Sequence, residues 1–131
     1  MRRVLVVDDE PAICHLVAEA LTDLGMEVVQ ANGGEEALER LCEATAQGRP
    51  YDAVILDIVM PHVDGWDVLH AIKNNPLWKK MRVVVLTGQA TSVSDVAKVV
   101  GYEGVFVEKK GIYPRMVQRI ISRLLPAGQP G

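Results

Sequence analysis

Five short runs rich in β-branched residues punctuate this chain, at residues 4–7, 27–30, 53–56, 83–86 and 105–107. The runs beginning at residues 4, 53 and 83 are apolar at every position and do not alternate with polar ones. A strand of that kind must be covered on both faces, as the inner strands of a parallel sheet are. Helical spacing fills the intervals. Ile13, Leu16, Val17, Ala20, Leu21 and Leu24 follow the i, i+3, i+4 rule along one face, with Pro11 suited to the first turn and Gly25 to the position past the end. Four further helices are predicted around Ala37, Leu38 and Leu41; Val68, Leu69 and Ile72; Val93, Val96, Ala97 and Val100; and Met116, Val117, Ile120, Ile121, Leu124 and Leu125.

Strand and helix thus alternate along the whole chain, which predicts an α/β fold with a doubly wound five-stranded parallel sheet. The pattern assigns residues 1–125 to a single domain. It leaves residues 126–131, poor in apolar side chains and rich in Pro and Gly, as a flexible tail or the start of a linker. A chain of 131 residues, 49% hydrophobic and 24% charged, suits one soluble domain that needs no disulfide or metal to fold. A net charge of −3 disfavours nucleic acid and anionic membranes as partners. The densest positive cluster, Lys79, Lys80 and Arg82, reads as a solvated loop. No secretory signal or membrane-length apolar stretch is apparent, so Cys14 and Cys42 are expected as reduced thiols of a cytoplasmic protein.

In an open parallel sheet, ligands bind beyond the carboxyl ends of the strands. Asp8, Asp9 and Glu10 follow the first run, Asp57 the third, Thr87 and Gly88 the fourth, and Glu108, Lys109 and Lys110 the fifth. Singly, each has a plain structural explanation. Asp8, Asp9 or Glu10 could cap the helix at Pro11, Thr87 could cap a turn, and a lysine after a strand is usually solvated. Together, carboxylates crowded at one sheet edge repel one another unless a cation joins them, and an all-oxygen donor set favours Mg²⁺ or a similar hard ion. A carboxylate beside such an ion can act as a nucleophile towards phosphorus, while an ammonium, a hydroxyl and loop amides neutralise the transferred group.

The segments Val6-Val7-Asp8-Asp9-Glu10-Pro11, Leu56-Asp57-Ile58-Val59-Met60-Pro61-His62-Val63-Asp64-Gly65 and Val85-Leu86-Thr87-Gly88 resemble the signatures of receiver domains of two-component response regulators. The resemblance runs over residues 2–125. It implies a flavodoxin-like sheet of order 2-1-3-4-5, an order taken from the resemblance and not from periodicity. By the same resemblance Asp57 is the phosphoacceptor. Asp8, Asp9, Asp57 and the backbone carbonyl of Val59 would bind Mg²⁺, Thr87 would hold the phosphoryl group, and Lys109 would pair with it. Met60-Pro61 and Asp64-Gly65 would shape the acceptor loop, and Thr87 with Phe106 would form the switch. Val59 and Gln89 would flank the water that ends the signal. The family's lysine is usually followed by proline, whereas Lys109 is followed by Lys110 and Gly111. Phe106, three residues earlier, selects Lys109, and a slip of one residue would hand the role to Lys110.

The implied function is a phosphorylation-activated switch, a regulatory domain and not an enzyme acting on a separate substrate. Its donor would be a sensor histidine kinase or histidine phosphotransfer protein. Its target would dock on the face formed by the fourth predicted helix, the last strand and the last helix, with no direct role for nucleic acid or membrane. Two rival readings stand beside it. A small aspartyl-nucleophile phosphohydrolase usually has a second aspartate two residues past the nucleophile, where this chain has Val59. A receiver that no longer takes phosphate would serve as a protein-docking module. A flavin- or nucleotide-binding domain is disfavoured because the first turn is acidic and lacks a glycine-rich phosphate cradle.

Overall fold

In this computed structural model, residues 2–58, 65–88, 97, 99, 101–111 and 114–124 are described, with the backbone alone at Lys109. The strands are β1 (Arg3–Val7), β2 (Glu27–Ala31), β3 (Ala53–Asp57), β4 (Arg82–Thr87) and β5 (Val105–Lys109). The helices are α1 (Pro11–Asp23), α2 (Gly34–Ala46), α3 (Gly65–Lys73) and α4 (Arg115–Leu124). Every strand pair is parallel, and the sheet order is β2-β1-β3-β4-β5. The helical pattern at Val93, Val96 and Val100 lies outside the described residues, although Ala97 and Val99 within it are helical. The tail at residues 126–131 also lies outside them.

The apolar runs at β1, β3 and β4 are buried on both faces, as their composition requires. Val4, Val6, Ala53, Ile55, Val84 and Leu86 pack in one core layer with α1 and α4. Leu5, Val7, Val54, Leu56, Val83 and Val85 pack in the other with α2 and α3. Each such side chain removed from water contributes about 1.5–3 kcal/mol before entropy is counted, so the central strands anchor the scaffold.

Helix α1 departs from its predicted apolar face. Its buried stripe is Cys14, Val17, Ala18 and Leu21, while Leu16 is 39% and Leu24 50% exposed. The stripe keeps the i, i+3, i+4, i+7 spacing but is centred on small residues, which let the helix approach the sheet closely. Gly25, at φ 87°, closes the helix in a conformation that costs a side-chain-bearing residue strain. Cys14 and Cys42 are both free thiols, the first buried and the second exposed. Burial, reinforced by the nearby charge of Asp8, pushes the Cys14 thiol up to about 11, so it behaves as an inert packing group.

The amino edge of the sheet carries more structure than a solvated loop. Lys79 and Lys80 are exposed, but Arg82 donates to the carbonyls of Arg123 and Leu124 at 2.8 and 3.2 Å, and Arg2 donates to Leu124 as well. Two guanidiniums thereby satisfy carbonyls at the negative end of the α4 dipole. Among the described residues, no helix is long and apolar enough to cross a membrane.

Candidate functional site

Register decides which residues meet at the carboxyl edge. Val7 pairs with Leu56, Asp57 with Leu86, and Thr87 with Lys109. Backbone bonds carry the alignment past the strands: Asp8 N donates to Ala31 O at 3.1 Å, Ile58 N to Leu86 O at 3.0 Å, and Lys110 N to Thr87 O at 2.9 Å. Residues separated by up to about a hundred positions are thus set side by side on one rim.

Two carboxylates on that rim are buried, Asp8 at 2% exposure and Asp57 at 0%, and Thr87 is buried at 3%. Asp9 is half-buried and Glu10 exposed. Carboxylate oxygens of Asp8, Asp9 and Glu10 all lie within 4.8 Å of one another. Capping does not account for them. Glu10 occupies the N-cap position of α1 without making a side-chain cap bond, and Asp8 Oδ1 instead accepts from the Glu10 backbone N–H at 2.9 Å. That bond fixes the acidic turn over the end of β1.

Asp57 is tied to this cluster through a lysine. The Lys110 ammonium stands 3.1 Å from Asp57 Oδ2, 3.2 Å from Asp8 Oδ2 and 2.8 Å from Glu10 Oε1. Burial disfavours the charged amine there, but hydrogen bonds to Glu10 and Asp57 outweigh it and hold Lys110 above the ordinary lysine range. The reading by resemblance selected Lys109. The Lys109 backbone lies in β5 opposite Thr87, and its side chain is outside the described residues. Among the described side chains, Lys110 reaches Asp57, from the position that proline usually holds in the family. Glu10 as a partner of that lysine was not foreseen; its place beside the aspartates was the available signal.

Gly65 explains how β3 meets α3. A Cβ on it would lie 2.5 Å from Ile58 Cα and 2.9 Å from the Asp57 carbonyl oxygen, so only glycine admits this approach. Val59, Met60, Pro61, Asp64 and Gln89 lie outside the described residues.

Thr87 Oγ1 faces the Glu108 carbonyl at a weak 3.5 Å. Phe106 pairs with Val84 and packs half-buried in the layer of α1 and α4. The guanidiniums of Arg82 and Arg123 lie 5.6 and 5.3 Å from its ring centre. Thr87 shares strand parity with Val83 and Val85, which belong to the opposite layer. Glu108 stands between Thr87 and Phe106: its carbonyl faces Thr87, and its carboxylate accepts from Arg123 Nε at 2.6 Å.

A hard-cation site on the rim fits this donor set. Among the described residues, three carboxylates contact one ammonium, Asp9 lies beside two of them, and Asp8 and Asp57 are buried. The residual negative charge and the purely oxygen ligands match Mg²⁺.

Comparison with known proteins agrees with the geometry. The model of the response regulator receiver domain family matches residues 4–121. The chain belongs to that family. As a receiver domain it resembles a probable chemotaxis protein CheY of Rhizobium etli, 36% identical over 66% of this chain and 64% of the relative. It also resembles the transcriptional regulatory protein TcrA of Mycobacterium tuberculosis, 35% identical over 68% of this chain. The matched part spans only 33% of TcrA, so this chain covers about a third of that relative. Among solved structures, chemotaxis protein CheY4 of Vibrio cholerae matches with TM-score 0.78 at 29% identity, over 95% of this receiver domain and 99% of that chain. Response regulator TrrA of Thermotoga maritima, crystallised in complex with Mg(2+)-BeF, matches with TM-score 0.72 at 34% identity, over 95% and 100% of the two chains.

Proposed function

We propose that this receiver domain is a phosphorylation-dependent switch that accepts a phosphoryl group on Asp57 from a histidine kinase or a histidine phosphotransfer protein. The observation that carries the reading is a fully buried carboxylate at the end of the central strand, joined to Asp8 and Glu10 by one ammonium. The likeness to a relative crystallised with Mg(2+)-BeF supports it.

Asp8, Asp9, Asp57 and the Val59 backbone carbonyl would hold Mg²⁺, which supplies charge neutralisation to the phosphoryl oxygens when bound. An Asp57 carboxylate oxygen forms the new O–P bond as the donor's P–N bond breaks, and the departing imidazole keeps the electron pair and takes a proton from solvent. Gly65 keeps α3 close against the acceptor strand, so the carboxylate is fixed before the donor arrives. A lysine at the end of β5 pairs with the transferred group. The resemblance assigns Lys109, and the contacts of Lys110 favour the neighbour. Thr87 turns its hydroxyl towards the phosphoryl group and leaves the Glu108 carbonyl, and Glu108 passes the change through Arg123 to Phe106. The domain is regulatory and cytoplasmic on this reading. Its output face is β5 with α4 and the preceding helical segment, and neither nucleic acid nor membrane takes part directly. Residues 1–125 form the receiver, and residues 126–131 a tail or linker.

Incubation with Mg²⁺ and acetyl phosphate, followed by intact mass measurement, tests the proposal. Wild type gains one phosphate-sized adduct and Asp57→Asn gains none. An unmodified wild type favours the docking module, and an adduct seen only transiently with continuous phosphate release favours the hydrolase.

A further inference from the structure

Two helices on opposite faces of the sheet carry charge ladders of opposite sign and equal pitch. On α2 the acids Glu35, Glu39 and Glu43 recur every fourth position and are exposed. On α4 the arginines Arg115, Arg119 and Arg123 recur with the same spacing and are exposed as well. Successive rungs of either ladder lie about 6 Å apart along the helix axis. Beside the rungs stand Cys42 on α2 and Ser122 on α4, both exposed and small enough for close helix approach. Helix α4 contains no acidic residue, and its exposed positions hold no apolar one.

Helix electrostatics accounts for only part of this pattern. Glu35 in the first turn of α2 and Arg123 in the last turn of α4 each suit the helix dipole. Glu43 near the end of α2 and Arg115 at the start of α4 oppose it. Like charges four residues apart also repel along each helix. Arg40 relieves Glu36 and Glu43 through pairs at 3.3 and 3.2 Å, and Glu108 holds Arg123. Among the described residues, Glu35, Glu39, Arg115 and Arg119 have no ion-pair partner.

We propose that the arginine ladder of α4 docks on the glutamate ladder of α2 in a second copy of this chain. The two faces cannot meet within one molecule, since α2 packs in one core layer and α4 in the other. Laid antiparallel, Glu35 meets Arg123, Glu39 meets Arg119 and Glu43 meets Arg115. Each misplaced end charge then gains a partner, and the two helix dipoles run in opposition. Every copy keeps one free ladder of either sign, so the contact is heterologous and repeats into open chains or a ring. Nucleic acid and membrane fit the arginines less well. Three positive charges on a chain of net charge −3 are a small footprint for a phosphate backbone, and α4 exposes no apolar side chain for insertion into lipid. The contact is small and polar, so association is weak and salt-sensitive. It requires neither metal nor phosphoryl group and stands apart from the function proposed above.

Sedimentation equilibrium of the full chain at low ionic strength, at concentrations up to about 1 mM, tests the contact. Wild type should increasingly exceed the monomer mass of 14.3 kDa as concentration rises, and return to it in about 0.5 M NaCl. Glu39→Arg and Arg119→Glu, each alone, should lower the association constant on the order of tenfold or more, because each sets like charges opposite one another. An equimolar mixture of these two variants should recover association, since each supplies the intact ladder that the other has lost. Glu19→Arg and Lys79→Glu make the same charge changes at exposed sites away from both ladders and should associate as wild type does. A wild type that stays monomeric in low salt overturns the proposal. So does association that survives high salt or either reversal, a mixture that stays monomeric, or an equal loss in the two controls.

Discussion

Two lysines, Lys73 buried and Lys110 partly so, stand at opposite edges of this sheet, and their partners differ in kind. At the carboxyl edge the Lys110 ammonium touches three carboxylates. At the amino edge Lys73, only 6% exposed, donates to the backbone carbonyls of Lys79, Met81 and Glu103 at 3.0, 2.6 and 2.7 Å. Carbonyls are neutral dipoles fixed by the chain, and no competing ion displaces an ammonium covalently tethered among them. Lys73 thus clamps the end of α3 to the entrance of β4 and to the segment before β5. Carboxylates carry full charge and are the kind of ligand that a divalent cation takes, so the Lys110 cluster is held by charge where the Lys73 clamp is held by fixed dipoles. The titration directions agree. Burial lowers Lys73, offset only in part by the charge of Glu103, whereas carboxylate partners raise Lys110 despite its burial.

The largest expected effect breaks the carboxyl edge alone. Asp57→Asn should abolish phosphoryl uptake completely while leaving the circular dichroism spectrum native, because the amide keeps the shape and removes one of several crowded negative charges. Loss of the fold in this variant would show that the buried carboxylate is structural.

Next comes the amino edge. Lys73→Met leaves three carbonyls without their ammonium and should lower unfolding free energy by about 2 kcal/mol. Chemical denaturation with and without Mg²⁺ should report the same loss. A Mg²⁺-dependent deficit in Lys73→Met would erase the distinction between the two lysines.

Arg82→Ala removes two hydrogen bonds to the end of α4 and the guanidinium over Phe106, and should cost about 1 kcal/mol in the same assay. An effect below measurement error would mean that those bonds are exchanged for water without loss.

The smallest effect concerns pH. Folded Lys73 releases its proton at a lower pH than the unfolded chain does, so between its lowered value and 10.5 the unfolded state binds more protons. Stability must therefore rise with pH across that window in wild type relative to Lys73→Met. Lys110, held above 10.5, stays charged in both states there and adds no slope; its contribution is lost only as pH climbs through its raised folded value. A melting-temperature series from pH 8 to 10.5 on the two proteins isolates the Lys73 effect. A parallel pair of curves would contradict the burial cost assigned to it.

Much of the scaffold and half of the rim were legible in the order of residues. Short runs that are apolar at every position and rich in β-branched residues suit strands buried on both faces, and Asp8, Asp57 and Thr87 each stand where such a run stops. Those are local properties, set by solvation and by the geometry of a few neighbouring peptides. The resemblance carried the sheet order, and the observed order matches it. Other features were not legible. Leu16 and Leu24 satisfy the helical period yet face solvent, because Cys14 and Ala18 allow a closer seat on the sheet. Arg82 looks like part of a basic loop until α4 is seen to end beside it.

The sequence by itself determined that acids, a hydroxyl and lysines would collect at the carboxyl ends of buried strands, since hydrophobic runs specify where each strand begins and stops. Only the tertiary structure decided that Lys110 reaches Asp57, that Glu10 is its outer partner and that Lys73 is a fixed clamp. The reason is that these pairings join groups up to about a hundred positions apart. Such a choice is made by packing and charge across the whole sheet, which no local pattern encodes.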